Sequence, residues 1–112
     1  MSPDDAVRVR HMIEAMESAQ QFVQGRSRAD LDNDRMLLFA LVRAVEIVGE
    51  AASKVSAQAR AENPGIPWAE AVGMRNRLVH VYFDINKNIL WATVTQALPA
   101  LRSQLMRIPL PE

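Results

Sequence analysis

Residue types that can bind a phosphate group or transfer a proton lie close together between positions 74 and 86. This stretch reads M-R-N-R-L-V-H-V-Y-F-D-I-N and places Arg75, His80 and Tyr82 within eight residues of one another. An imidazole transfers protons near neutral pH, and a guanidinium binds phosphate or carboxylate oxygens through paired hydrogen bonds. The stretch is therefore the first candidate for chemistry.

The helix expected to contain this stretch has one apolar face when about 100° is allowed per residue. That face holds six side chains, with Arg75 at its centre: Trp68, Ala71, Val72, Leu78, Val79 and Tyr82. Burying an unpaired guanidinium is costly. We therefore expect Arg75 either to reach a carboxylate, with Glu46 or Glu50 as candidates, or to line a polar cleft.

The opposite side of the same helix is polar and carries a glycine. Gly73 and His80 are seven residues apart and share one stripe, beside Asn76 and Arg77. This face could pack against a second copy of the chain. On a regular helix Arg75 and His80 are about 140° apart and separated by about 7.5 Å of rise. They can serve one site only if the helix ends near His80 or if two subunits of a dimer contribute to a composite site.

The composition excludes several kinds of site. The 112 residues include no cysteine, which rules out disulfides, thiolate metal ligands and a cysteine nucleophile. The 13 basic and 13 acidic residues give a formal net charge of zero, so no global field attracts a nucleic acid. The sequence has neither an apolar run of roughly 18 residues nor a basic signal-peptide region. We expect a cytoplasmic chain that forms a single domain over residues 1–112.

The hydrophobic residues, 49% of the chain, are mostly aliphatic, which favours an all-α fold. The first helix is expected to begin at Pro3, with Ser2 as N-cap, and to stop at Gly25. The second is expected to begin at Asp32 or Asn33. It should bury a seam of residues spaced by three and four, namely Leu38, Leu41, Val45, Val48, Ala52 and Val55.

A charged row flanks this seam, because Arg43, Glu46 and Glu50 also recur at helical spacing. Its simplest interpretation is a set of solvated salt bridges within the helix. The alternative is that the row supports functional side chains on a neighbouring helix. Gly49 costs the helix about 1 kcal/mol relative to alanine, and the usual compensation is the close approach of another helix.

The third helix is expected to begin at Pro67, after a turn at residues 63–65, and Asp84-Ile85-Asn86 should break it and cap the fourth helix. Pro99 lies inside the apolar pattern of the fourth helix. It should kink that helix or mark a restart, because its ring clashes with the carbonyl four residues back. The chain is therefore expected to form an antiparallel four-helix bundle, with a short extra helical turn in a connector.

The R-N-R-L-V-H-V-Y run at residues 75–82 resembles the R-x(4)-H-x-Y signature of the HepT toxins, a branch of the HEPN superfamily of α-helical ribonucleases. The similarity extends to A-L-V-R-A-V-E-I-V-G-E-A-A at residues 40–52, N-P-G-I-P-W at residues 63–68 and the L-P-x-L pattern at residues 98–101. It covers close to the whole chain. One difference is Val81, where many members have glycine.

This resemblance implies a metal-independent endoribonuclease that needs no cofactor and works as a homodimer, with the two motifs facing a shared cleft. His80 would move a proton during cleavage by the 2′-hydroxyl of RNA, and Arg75 would stabilise charge on the phosphate. Asn76 would orient His80 or bind the phosphate. Arg77 would be an additional RNA contact.

The same resemblance gives Tyr82 a second role. HepT proteins are paired with a minimal nucleotidyltransferase antitoxin that transfers AMP onto the motif tyrosine and silences the toxin. A bulky anionic adduct two residues from His80 would occupy the place of an RNA phosphate. This role requires the helix to have ended, because Tyr82 otherwise lies on the apolar face.

Structural roles and a second function stay open beside this interpretation. His80 could cap the end of its helix, Tyr82 could be a core aromatic, and Arg75 could be an ion-pair partner of the second helix. His11, which falls off the apolar stripe of the first helix, is expected to be a solvated surface residue. The alternative function is a non-catalytic helical module that binds a nucleotide or a partner in association with a nucleotidyltransferase.

Overall fold

The computed structural model describes residues 1–79 and 84–111. Its helices are α1 (Pro3–Val23), α2 (Asp30–Asn33), α3 (Arg35–Ser53), α4 (Ala57–Glu62), α5 (Trp68–Leu78), α6 (Lys87–Ala92) and α7 (Leu98–Leu105), with a π-helical turn (Thr93–Ala97) between α6 and α7. One isolated antiparallel bridge is the only β-structure in this part of the chain. No helix among the described residues is long and apolar enough to cross a membrane. The predicted all-α class is confirmed.

The long helices pack as a bundle around α3. The start of α1 meets the end of α3, where Asp5 accepts hydrogen bonds from Ser56, so these two helices run antiparallel. On its other side α3 packs against α5. The segment from α6 through α7 closes on α1, where Arg102 reaches Glu17 at 2.8 Å. This arrangement confirms the predicted four-helix bundle.

The ends of α1 lie where the sequence predicts them. The Ser2 hydroxyl accepts a hydrogen bond from the Asp5 N–H at 3.2 Å, and Pro3 opens the helix. The helix ends at Val23. Gly25 follows with a φ of 73°, a left-handed conformation that glycine adopts without strain.

The start of α3 and the connector after it differ from the prediction. Asp34 has an extended conformation and caps a helix that begins at Arg35. Asp32 and Asn33 belong instead to the short helix α2, so the predicted start there is wrong. A second short helix, α4, lies between α3 and the predicted turn at residues 63–65, where no helix was predicted. The helix α2 is the short extra turn that was expected in a connector; it has no side-chain cap, and its Asp32 is held by Lys87. The cap of α4, Ser56, is held by Asp5. Hydrophobic spacing reveals neither of these distant contacts.

The predicted fourth helix comprises α6, the π-helical turn and α7, which follow one another without a break. The π-helical turn lies just before Pro99. The Leu98 N–H donates to the Thr93 carbonyl, five residues back. Thr95 Oγ1 donates to the Trp91 carbonyl at 2.7 Å. Proline has no N–H and its ring needs room in the preceding turn, and the wider π-turn provides that room. The helix therefore continues to Leu105 without a restart.

The predicted seam of α3 is buried throughout. Each of its six side chains is at most 9% exposed: Leu38, Leu41, Val45, Val48, Ala52 and Val55. A Cβ added at Gly49 would lie 3.3 Å from the Val72 carbonyl oxygen of α5. This contact confirms the expectation that another helix approaches Gly49 closely, and it places α5 against the C-terminal half of α3.

Candidate active site

The buried face of α5 differs from the face that the helical wheel predicts. The side chains of α5 that are buried belong to Trp68, Ala71, Met74 and Leu78. Arg75 follows Met74 and is 51% exposed, so it lies at the edge of the buried face instead of at its centre. The one-residue rotation keeps the guanidinium in water, where a charge is least costly, and places the methionine in the core.

Arg75 forms the ion pair expected of it. Its Nε donates to Glu46 Oε2 of α3 at 3.2 Å, and the Glu46 side chain is 28% exposed. Glu50, the other predicted partner, pairs instead with Arg43 of the same helix at 3.8 Å. Since the hydrogen bond of Arg75 to Glu46 uses Nε, the two terminal nitrogens of the guanidinium can serve another anion.

A cleft of about 200 Å³ lies between α3 and α5 at this ion pair. Arg75 and Asn76 contribute to it from α5, and Glu46 and Glu50 contribute from α3. Its remaining lining comes from Gly49, Ser53 and Val72. Four of the predicted site residues are therefore brought together in one cleft.

Arg77 and Gly73 lie away from this cleft. Arg77 is exposed and is not part of the cleft lining. A Cβ built at Gly73 would meet no atom within 4 Å among the described residues. Gly73 is thus not covered by the described residues of the single chain, and a second copy of the chain at this face stays a prediction.

The helix α5 had to end near His80 if Arg75 and His80 were to serve one site within a chain. The helix ends at Leu78, and Val79 is extended. Val79 forms an antiparallel bridge with Ile85, and the Asn86 N–H donates to the Leu78 carbonyl at 2.7 Å. The helix therefore ends near His80, which was one of the two conditions for a single site, and it ends before Asp84-Ile85-Asn86, where the break was expected.

The two motif residues after this helix end, His80 and Tyr82, lie outside the described residues, as does Val81. Their predicted roles stay predictions. The residues on either side of them are described, and the bridge between Val79 and Ile85 brings the two ends of this segment together beside α5.

A second, larger cavity of about 580 Å³ was not predicted from the sequence. It is lined by the side of α3 that carries Arg35 and Phe39, by Arg28, and by the segment from Asp84 to Asn88. The guanidinium carbon of Arg35 lies 5.3 Å from the centroid of the Phe39 ring. The i, i+4 spacing of an arginine and an exposed aromatic on α3 was the one sequence signal that could have indicated it.

Two of the basic side chains around this cavity form ion pairs with Asp32. Arg28 Nη1 lies 3.2 Å from Asp32, and Lys87 Nζ lies 3.3 Å from it. Hydrogen bonds from Arg28 and then from Lys87 hold the pKa of Asp32 below its usual value. Within residues 1–79 and 84–111, no three His, Cys, Asp or Glu side chains come together as a potential metal site.

Comparison with known proteins identifies the class to which this fold and cleft belong. The family described as "Ribonuclease HepT-like" matches residues 12–108. The chain belongs to this HepT-like ribonuclease family. No solved structure matches it.

The chain is also similar in sequence to named relatives over most of their length. It is 35% identical to "Putative RNase TTE0752" of Caldanaerobacter subterraneus subsp. tengcongensis over 100 residues, which cover 89% of each chain. It is 34% identical to "Probable ribonuclease HepT" of Thermococcus cleftensis, covering 85% of this chain and 86% of the relative. A third relative, "Putative RNase MJ1380" of Methanocaldococcus jannaschii, is 33% identical, covering 83% of this chain and 88% of its own.

Proposed function

We propose that this protein is a metal-independent endoribonuclease, the toxin component of a toxin–antitoxin pair, acting in the cytoplasm as a homodimer with a composite active site. Its membership of the HepT-like ribonuclease family makes it an RNA-cleaving enzyme. The other parts of the proposal are supported by the cleft beside the end of α5. Arg75 and Asn76 line that cleft, and the helix ends two residues before His80.

The proposed reaction uses the RNA itself as the nucleophile. The 2′-hydroxyl oxygen attacks the adjacent phosphorus as its proton passes to a base, and the bond from phosphorus to the 5′-oxygen breaks. The leaving 5′-oxygen takes up a proton, which leaves a 2′,3′-cyclic phosphate and a 5′-hydroxyl. His80 suits both proton transfers, and in a dimer each chain supplies one such histidine.

Arg75 and Asn76 have the supporting roles in this reaction. The terminal nitrogens of the Arg75 guanidinium bind the phosphate oxygens, whose charge is stabilised most when the donors are already positioned. Glu46 holds the Arg75 side chain through Nε. Asn76 orients His80 or donates to the same phosphate, and the exposed Arg77 contacts RNA outside the cleft.

The test of the reaction is RNA cleavage in the presence of EDTA. We expect the unmodified chain to cleave and His80→Ala to lose activity by about 10²- to 10⁴-fold, the range for a general acid–base. His11→Ala is the matched control, since His11 is an exposed histidine on α1. Equal cleavage by the two variants, or no cleavage by the unmodified chain, would count against the enzyme and favour a non-catalytic module.

The composite site has its own test. If Arg75 of one chain works with His80 of the other, a mixed dimer of Arg75→Ala and His80→Ala chains contains one intact pair. Co-expression with two different tags isolates that mixed dimer. Recovered cleavage supports the composite site, whereas an inactive mixed dimer indicates that each site is built within one chain.

The proposed control of the enzyme is modification of Tyr82 by a nucleotidyltransferase. The phenolic oxygen attacks the α-phosphorus of ATP and loses its proton, and pyrophosphate leaves, so that the tyrosine carries AMP. Intact-mass measurement after co-expression with the neighbouring nucleotidyltransferase should show one or more adenylate groups and reduced cleavage. Tyr82→Phe should carry none and stay active. An adduct on another residue would refute this role of Tyr82.

A further inference from the structure

We infer that the cavity lined by Arg28, Arg35, Phe39, Lys87 and Asn88 is a subsite for a nucleotide of single-stranded RNA. This inference rests on the proposed function and extends it to the binding of the substrate beyond the cleaved bond. The cavity volume of about 580 Å³ lies within the roughly 300–1,000 Å³ of typical ligand sites. It will be called the Phe39 subsite.

The exposure of Phe39 is the first argument for this subsite. The ring is 51% exposed, and Arg35 lies over it with its guanidinium carbon 5.3 Å from the centroid. Unpaired RNA bases stack on aromatic rings and on guanidinium planes. An arginine and a phenylalanine held together at the surface therefore provide the kind of platform that a splayed base needs.

The charge of the cavity is the second argument. Three cations, Arg28, Arg35 and Lys87, line it together with one carboxylate, Asp84. Two of these cations are neutralised in part by Asp32. None of the ion pairs within the described residues involves Arg35. Arg35 is therefore the cation that is most available to a phosphate, beside the ring that would hold the base.

The position of the cavity relative to the proposed active site is the third argument. Phe39 and Glu46 are seven residues apart on α3, hence on the same side of that helix and separated by about 10 Å of rise. Asp84 and Ile85, which follow the motif segment in sequence, line the Phe39 subsite. An RNA strand that enters the Arg75 cleft could thus continue along α3 to Phe39.

The test measures binding without cleavage. A fluorescent 2′-O-methyl oligoribonucleotide has no 2′-hydroxyl proton to lose, so its anisotropy reports binding alone. We expect Phe39→Ala to raise Kd roughly tenfold, since a stacked base contributes substantially to binding. Arg35→Ala should also weaken binding and lower the slope of log K against log salt by about 0.7, the value for one phosphate contact of a single strand.

Met36→Ala is the matched control, because Met36 is a neighbouring apolar side chain that is 84% exposed and does not line the cavity. It should bind the oligonucleotide as the unmodified chain does. Equal affinity of Phe39→Ala and Met36→Ala, or no binding by the unmodified chain, overturns the subsite. So does a change in the mass of Phe39→Ala by light scattering, because Phe39 would then contact another protein chain.

The two proposals fail separately. If natural RNA is cleaved and Phe39→Ala binds like Met36→Ala, the subsite is wrong and the ribonuclease stands. If the oligonucleotide binds through Phe39 and natural RNA is not cleaved, the catalytic proposal is wrong and the cavity remains a single-strand binding site.

Discussion

The Asp5 carboxylate and the Arg75 guanidinium are both held by polar side chains, but the first is buried and the second is half exposed. Asp5 is 7% exposed. It accepts hydrogen bonds from the Ser56 N–H at 2.8 Å, the Ser56 hydroxyl at 2.7 Å and the Ser2 hydroxyl at 3.0 Å. The same two hydroxyls accept from the first turns of α1 and α4. Asp5 therefore joins the caps of two helices that are far apart in sequence.

Arg75 has a different environment at the edge of the cleft between α3 and α5. It has one described side-chain partner, Glu46, at 3.2 Å, and its side chain is 51% exposed. An exposed ion pair of this kind contributes at most about 1 kcal/mol to stability. A buried carboxylate with three donors contributes more, because removing it leaves donors without partners. Asp5 with its three hydrogen bonds therefore contributes more to stability than the ion pair of Arg75 and Glu46 does. The terminal nitrogens of Arg75 are left available to a substrate phosphate.

The strongest test of this comparison is Arg75→Ala. Loss of one preorganised donor to a developing oxyanion typically lowers kcat about 10²- to 10³-fold, and we expect RNA cleavage to fall by that amount. The free energy of unfolding, measured with urea, should change by less than about 1 kcal/mol. Arg75→Lys keeps the charge and loses the paired donors, so its activity should lie between those of Arg75→Ala and the unmodified chain.

The control for Arg75→Ala is Arg43→Ala. Arg43 is an exposed arginine of α3 that pairs with Glu50 at 3.8 Å and does not line the cleft. Its substitution should leave cleavage close to that of the unmodified chain. If Arg75→Ala instead lowers the free energy of unfolding by clearly more than about 1 kcal/mol, the ion pair stabilises the fold, and the loss of activity would follow from unfolding.

The converse result is expected for Asp5→Ala. Without the carboxylate, the Ser56 N–H and two hydroxyl groups lose their acceptor, and the free energy of unfolding should fall by about 2 kcal/mol. Cleavage measured well below the unfolding temperature should not change. Asp4→Ala is the control, because Asp4 is the exposed neighbour on the same turn and its loss should cost much less.

The stabilisation by Asp5 should also depend on pH. Hydrogen bonds from Ser56 hold the pKa of Asp5 below its ordinary value of 3.8, so the unfolded chain binds the proton more readily than the folded one. This contribution is complete above the ordinary pKa and disappears as pH falls through the lower, folded-state pKa. The stability difference between the unmodified chain and Asp5→Asn should therefore shrink below about pH 4. A difference that stays constant on acidification would contradict the pKa shift.

Much of the fold could be predicted because its signals are local. The Ser2 cap, the stop near Gly25 and the seam of α3 follow from residue types at fixed spacing, and the structure confirms each. The helix α4 could not be predicted in the same way. Its cap, Ser56, is held by Asp5, 51 residues earlier, and hydrophobic spacing carries no information about such a contact.

The site was predicted in part, for a similar reason. The cost of burying a charge predicted that Arg75 would reach Glu46 or Glu50. The helical wheel, however, placed the buried face of α5 one residue away from its observed position. That helix has only 11 residues, and its apolar residues do not define one sharp face, so packing against Gly49 decides its rotation more than its own pattern does. The Phe39 subsite combines residues from three separate segments, which no single periodicity could connect.

The smallest effect is expected for Glu46, and its sign tests how the Arg75 cleft works. If Glu46 positions the guanidinium through Nε, Glu46→Ala frees the side chain and should lower cleavage severalfold, in line with a pair worth about 0.5–1 kcal/mol. Glu46→Gln keeps an acceptor and should lower it less. Glu50→Ala removes the longer and more exposed pair with Arg43, and it should lower cleavage less than Glu46→Ala, because Glu50 lines the cleft without an ion pair to Arg75. Faster cleavage by Glu46→Ala would instead mean that the carboxylate competes with the RNA phosphate for Arg75, and Glu46 would then restrain the enzyme.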